Sequence, residues 1–183
     1  MSFTPIHTSR LILRQWQESD NTPYIAMNMD AEVMKYFPAL QTAEETLAQI
    51  ERFKIFINEN GYGFFAVEHR DTGEFIGFTG LAQPRFESFF TSCVEIGWRL
   101  AKAHWGNGYA QEAARACLDL GFDKISLNEI YSFTSILNLQ SVNVMKKIGM
   151  KEVGQFEHPN LKDGDKLKTH ILYKLEKKDR LTS

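Results

Sequence analysis

Two glycines, Gly106 and Gly108, are the residues whose type and spacing point most directly to chemistry in this chain. They lie within Val94 to Ala114, V-E-I-G-W-R-L-A-K-A-H-W-G-N-G-Y-A-Q-E-A-A, which begins as a strand, turns, and continues as a helix. Glycine at such a junction lets the backbone take a positive φ and leaves no Cβ to obstruct a ligand. The first turn of the helix has free N–H groups at the positive end of its dipole, an anion site best suited to phosphate. The pattern is neither of the common nucleotide loops. A dinucleotide fingerprint needs a third glycine where Gln111 stands, and no G-K-[ST] follows for a P-loop. From the glycines alone, phosphate binding and a simple tight turn stand level.

The flanking elements must position that turn. Cys93 to Leu100 reads as a strand with Val94, Ile96, Trp98 and Leu100 on one face. Cys93, Glu95, Gly97 and Arg99 lie on the other, so Glu95 is separated from the main apolar row. Ala110, Ala113, Ala114, Cys117 and Gly121 recur at helical spacing, a small-residue face for close packing on a sheet. Upstream, Ser9 to Trp16 reads as a first strand, and Ser19 or Asp20 as the cap of a short helix. Thr42 and Glu45 form a capping box for a helix reaching about Asn60. Two strands follow, joined by the turn Arg70 to Gly73. Downstream, Glu129 to Ser135 is a strand, and Asn138 caps a short helix that Gly149 stops. Val153 to Phe156 and Thr169 to Leu175 are the last strands, and the charged tail from Lys177 to Ser183 is expected to fray.

Length and composition fit one soluble folded domain: 183 residues, 43% hydrophobic, 24% charged, with no repeat or linker. The formal net charge of -2 argues against a dedicated nucleic-acid binder. No apolar run approaches membrane-spanning length, and a reducing cytoplasm is the default location. Cys93 and Cys117 form no CxxC pair and read as reduced thiols. The five histidines show no close metal-ligand spacing, so no metal is expected.

Four stretches together resemble the GCN5-related N-acetyltransferase (GNAT) family, which acetylates amines with acetyl-CoA. They are R-L-I-L-R, V-E-I-G-W-R-L, H-W-G-N-G-Y-A-Q-E-A and N-L-Q-S-V-N-V-M-K-K-I-G-M, and the resemblance runs from about Ser9 to Leu175. Within the family the chain looks most like the branch containing the ribosomal-protein N-terminal alanine acetyltransferases. The resemblance implies an α/β (α+β) fold: a mixed, mostly antiparallel sheet, splayed after the fourth strand, with helices on both faces. Pantetheine would lie in the gap against the backbone of Trp98, Arg99 and Leu100 like an added strand. The pyrophosphate would meet the N–H groups of Trp105, Gly106, Asn107, Gly108, Tyr109 and Ala110. The family's Gln or Arg three residues before the first glycine is Ala103 here.

Amine acetylation requires loss of a proton from the ammonium, a polarised thioester carbonyl, and a stabilised thiolate leaving group. Glu95, beside the implied thioester, is the candidate base, since partial burial would raise its pKa; a solvated strand carboxylate is the plainer alternative. The tyrosine that many family members carry seven residues after Asn138 is Met145 here, which has no proton to give. Ser141 is therefore the candidate donor to the thiolate, standing level with an ordinary first-turn serine. Asn138 can bond pantetheine as well as cap its helix. The acceptor is a primary amine, on a small molecule or a peptide N-terminus. Its pocket walls are expected from Asp30–Gln41 and His158–Lys168. A non-catalytic acyl-CoA-binding module on the same fold is the alternative, and oligomeric state is not legible.

Overall fold

The computed structural model describes residues 4–180. Within them runs a sheet of eight strands. These are β1 (Ile6–His7), β2 (Leu11–Arg14), β3 (Phe64–His69), β4 (Phe75–Ala82), β5 (Glu95–Leu100), β6 (Glu129–Ser135), β7 (Lys151–Glu157) and β8 (Thr169–Glu176). Their spatial order is β1-β2-β3-β4-β5-β6-β8-β7. Every neighbouring pair is antiparallel except β5 and β6. The mixed sheet matches expectation, with the two-residue β1 making Glu95–Leu100 the fifth strand rather than the fourth.

The β5–β6 pairing is short. Glu95 opposite Tyr131 is its single register pair. The Tyr131 N–H donates to Val94 O at 3.0 Å, and the Ser132 hydroxyl to Ile96 O at 2.9 Å. Past Ile96 the two strands part, leaving an opening in the sheet.

Helices α1 (Asn21–Met29) and α2 (Ala43–Asn60) cover one face; α3 (Tyr109–Asp119) and α4 (Leu139–Lys147) cover the other. The α2 start is the expected capping box: Thr42 Oγ1 accepts from the Glu45 N–H at 3.1 Å, and Glu45 accepts from the Thr42 N–H at 2.8 Å. The face under α1 and α2 is aromatic, with Trp16, Tyr24, Phe53, Phe64 and Phe78 in mutual ring contact. On the other face Ala113, Ala114 and Cys117 are fully buried, as their spacing requires for a helix lying close on the sheet. A Cβ at Gly121 would sit 2.7 Å from Ile130 Cδ1, so that close approach extends past the end of α3.

Two local expectations are corrected. Asp20 does not cap α1 with its side chain. Its carboxylate instead accepts two hydrogen bonds from the buried Arg14 guanidinium, at 2.7 and 2.8 Å, because a buried cation needs a partner more than a helix end near solvent does. The tail is not frayed from Lys177. Lys177–Asp179 form a helical turn, the Lys177 ammonium donates to Phe122 O at 2.7 Å, and Arg180 pairs with Asp123 at 2.8 Å. Residues 181–183 of that tail lie outside the described residues.

Candidate active site

A cavity of about 920 Å³ runs through the opening between β5 and β6. Glu95, Trp98, Arg99, Leu100, Trp105, Gly106, Gly108, Tyr109, Ala110, Asn138 and Ser141 all line it. The structure thus brings together residues that are 46 positions apart in sequence at the extremes, Glu95 and Ser141. Asn107 is the exception. It does not line the cavity; its amide folds back to donate to His104 O and Trp105 O at 3.3 and 3.2 Å.

The turn has the conformation that demands glycine. Gly106 and Gly108 both have φ of +79°. A Cβ on Gly106 would meet nothing within 4 Å, so backbone conformation rather than crowding calls for glycine there. Gly108 is the N-cap of α3 and supplies no capping side chain. The first intrahelical bond runs from the Glu112 N–H to Gly108 O at 3.0 Å, which leaves the N–H groups of Tyr109, Ala110 and Gln111 without helical partners. The turn is braced from behind by Arg10, which donates to Asn107 O at 3.0 Å, lies 4.6 Å from the Tyr109 ring centroid, and pairs with Glu112 at 2.7 Å. Glu112 also accepts from Thr8, Ser9 and the Arg10 N–H. Burial opposes its ionisation, but these hydrogen bonds outweigh burial and take its pKa down to about 2.

Backbone parity along β5 decides which groups face the opening. Val94 O and Ile96 O point towards β6, whereas the Ala101 N–H bonds Ile76 O of β4 at 2.9 Å. Trp98 and Leu100 share the parity of Ile96 and turn their peptide groups to the β6 side. Leu100 O is taken by the Trp105 indole N–H at 2.8 Å, so Trp105 packs beneath the turn. Arg99 has the opposite parity. Its peptide faces β4, contrary to expectation, and its side chain enters the cavity instead.

Glu95 lies on the α1–α2 side of β5, partly buried at the cavity wall. Among the described residues no group hydrogen-bonds its carboxyl, and burial pushes its pKa up to about 7. Nearby Cys93 is a poor nucleophile: burial first, then the Glu95 charge, push its thiol up to about 11. Across the opening, the Asn138 carbonyl oxygen accepts from the Ser141 N–H at 3.2 Å and caps α4, while its amide donates to Thr134 at 3.1 Å. The Ser141 hydroxyl makes no hydrogen bond among the described residues, so it is not spent on the helix backbone. Met145 is buried in the core.

The expected pocket walls converge here. Val33, Tyr36 and Phe37 come from one segment, His158 and Leu161 from the other. Sequence reasoning missed Phe86, Phe133 and His170, which with His158 make an aromatic wall. His158 is held down to about 4, by burial first and then by His170, so it stands neutral and is only weakly basic. Arg10 and the Arg99 side chain were also missed; strand alternation placed Arg99 on the Glu95 face and was the available signal.

A family model described as an acetyltransferase (GNAT) domain matches residues 10–151. The chain belongs to the GNAT acetyltransferases. The uncharacterized N-acetyltransferase YnaD of Bacillus subtilis (strain 168) is 34% identical over 155 residues, covering 83% of this chain and 85% of that protein. A GNAT-family acetyltransferase from Bacillus anthracis superposes with a TM-score of 0.78 at 26% identity, over 94% of this chain and 98% of that one. The ribosomal-protein-S5-alanine acetyltransferase from Vibrio fischeri shares the fold, with a TM-score of 0.76 at 17% identity, covering 98% and 100%. The chain is thus an N-acetyltransferase of the GNAT family, whose members use acetyl-CoA. No helix among the described residues is long and apolar enough to cross a membrane, and no cluster of potential metal ligands occurs among them.

Proposed function

We propose that this GNAT enzyme transfers an acetyl group from acetyl-CoA to a primary amine by direct attack of the amine. The observation that carries the reading is Glu95, a carboxyl with no partner among the described residues and a pKa of about 7, in the same cavity as the strand opening and the uncapped start of α3. The chain's groups suit the co-substrate. The Trp98 peptide addresses the opening as an added strand would require, and Tyr109, Ala110 and Gln111 offer N–H groups where a pyrophosphate would sit.

Acetyl-CoA supplies the activated acetyl group. Glu95 removes the proton from the acceptor ammonium, directly or through a water, and leaves the nitrogen its electron pair for the carbonyl carbon. The Ser141 hydroxyl, free on the opposite wall, donates a hydrogen bond to the departing sulfur. Asn138 orients the start of α4 and so places Ser141. Cys93, with its raised pKa, is left out, and no acyl-enzyme is required. The acceptor is a small amine or a peptide N-terminus, and the free thiols suit a cytoplasmic location. The test is calorimetry with acetyl-CoA, followed by CoA-thiol release over a panel of amines and peptides of varied first residue. Binding with amine-dependent release is expected. Binding without release from any acceptor would instead identify an acyl-CoA-binding module.

A further inference from the structure

The chain buries two arginines, and they are treated differently. Arg14 is neutralised by Asp20 and Glu68, at 2.7 and 2.6 Å. Arg99 is 8% exposed and forms no ion pair with any carboxylate among the described residues. A guanidinium keeps its charge even when burial lowers its pKa, so an unpaired one in a protein interior is costly. What surrounds Arg99 orients it without neutralising it. Its Nη1 donates to Asn28 Oδ1 at 2.7 Å. The Asn28 amide is fixed in turn by Gln41 and Thr46, at 2.9 and 3.2 Å. The guanidinium carbon lies 3.9 Å from the Phe37 ring centroid. Its buried Nε has no partner among the described residues.

Arg99 lines the proposed acceptor cavity together with Arg52, and both guanidiniums act electrostatically on the Tyr24 hydroxyl. Glu32 also lines the cavity but is exposed, and among the described residues it forms no ion pair with either arginine. A fixed, desolvated guanidinium whose charge is unneutralised and whose donors are not all taken is suited to a carboxylate partner through charge-assisted hydrogen bonds. Arg99 and Glu95 share one face of β5, four residues apart, a rise of roughly 13 Å between their Cα atoms. An amine at Glu95 and an anion at Arg99 are therefore separated by several bonds.

We propose that Arg99, assisted by Arg52, is the receptor for a carboxylate on the acceptor, so that the preferred acceptor is an amine bearing a carboxylate several bonds from its nitrogen. This specificity rests on the acetyl-transfer reading, and two measurements keep them apart. Calorimetry compares glutarate with its neutral diamide as amine-free probes, with acetyl-CoA titrated separately. CoA-thiol release compares δ-aminovalerate with its amide, and the peptide Ala-Ala-Asp-amide with Ala-Ala-Asn-amide, which separates free amino acids from acidic peptides as the source. Each carboxylate of the preferred source is expected to exceed its amide about ten- to hundredfold in kcat/KM, and glutarate to bind where the diamide does not. Arg99→Gln should erase the preference by raising KM for the acid alone. Arg52→Gln, on an exposed helix position that does not threaten folding, should reduce the preference about two- to fivefold. Glutarate and its diamide binding equally, or neither binding while acetyl-CoA does, overturns the carboxylate receptor. Failure of acetyl-CoA itself to bind overturns the reaction and leaves the glutarate comparison to decide Arg99.

Discussion

Replacing Glu95 by glutamine removes the proposed base while keeping its size and place on β5. A folded pKa of about 7 leaves about one-tenth of the enzyme ionised at pH 6 and about nine-tenths at pH 8. Wild-type kcat/KM should therefore rise about tenfold per pH unit below 7 and level off above it. Loss of a positioned base lowers the rate by about 10²–10⁴-fold. Glu95→Gln should show that loss in kcat, lose the ionisation near 7, and bind acetyl-CoA within a few-fold of wild type. Stability should move the other way. The folded state holds the Glu95 proton between the ordinary value of 4.5 and about 7, so wild-type stability falls as pH rises through that window. The shift corresponds to about 3 kcal/mol at full effect. At pH 8 the glutamine variant should melt above wild type, and at pH 4 the two should converge. Denaturant melts at both pH values and initial rates of CoA release supply the readings. Unchanged turnover, or an unaltered pH profile in the variant, would refute the assignment of Glu95 as base.

Ser141→Ala should lower kcat about tenfold with little change in KM for acetyl-CoA, and wild-type rates in steady-state assays would end its role as donor. Gly108→Ala forces a side chain into a φ of +79° and should cost about 1–2 kcal/mol in a denaturant melt, while weakening acetyl-CoA binding by calorimetry. Glu112 has a depressed folded pKa of about 2, so its stabilisation is complete above pH 4.5 and is lost as pH falls towards 2. Glu112→Gln should remove about 1–2 kcal/mol at neutral pH, less than the full shift because solvent screens the group, and flatten the acid limb of the stability curve, whereas identical acid limbs in both proteins would contradict the assignment.

Local rules sufficed where one element determined the outcome. The Thr42 capping box, the Asn138 cap, the small-residue face of α3 and the alternation along β5 are each set by neighbours in sequence. The residues missed belong to contacts between distant segments. Nothing near Arg10 announces that it holds the carbonyl of Asn107, because the partner is 97 positions away. Asp20 looks like a helix cap until Arg14 is buried beside it. Arg99 was placed on the correct face, yet its role was assigned to its peptide group. Peptide direction depends on which neighbour, β4 or β6, a given residue addresses, and that follows only from the sheet order. The parting of β5 and β6 likewise came from the family resemblance, since no residue in either strand encodes it alone.

The most direct test of acetyl transfer by direct attack is release of CoA thiol at pH 8, measured with and without a primary-amine acceptor, alongside the intact mass of the protein. Release should depend on the amine, with the acetyl group recovered on the acceptor nitrogen and none on the protein. Bound acetyl-CoA that no amine discharges, or an acetylated protein formed before the amine is added, would contradict the account.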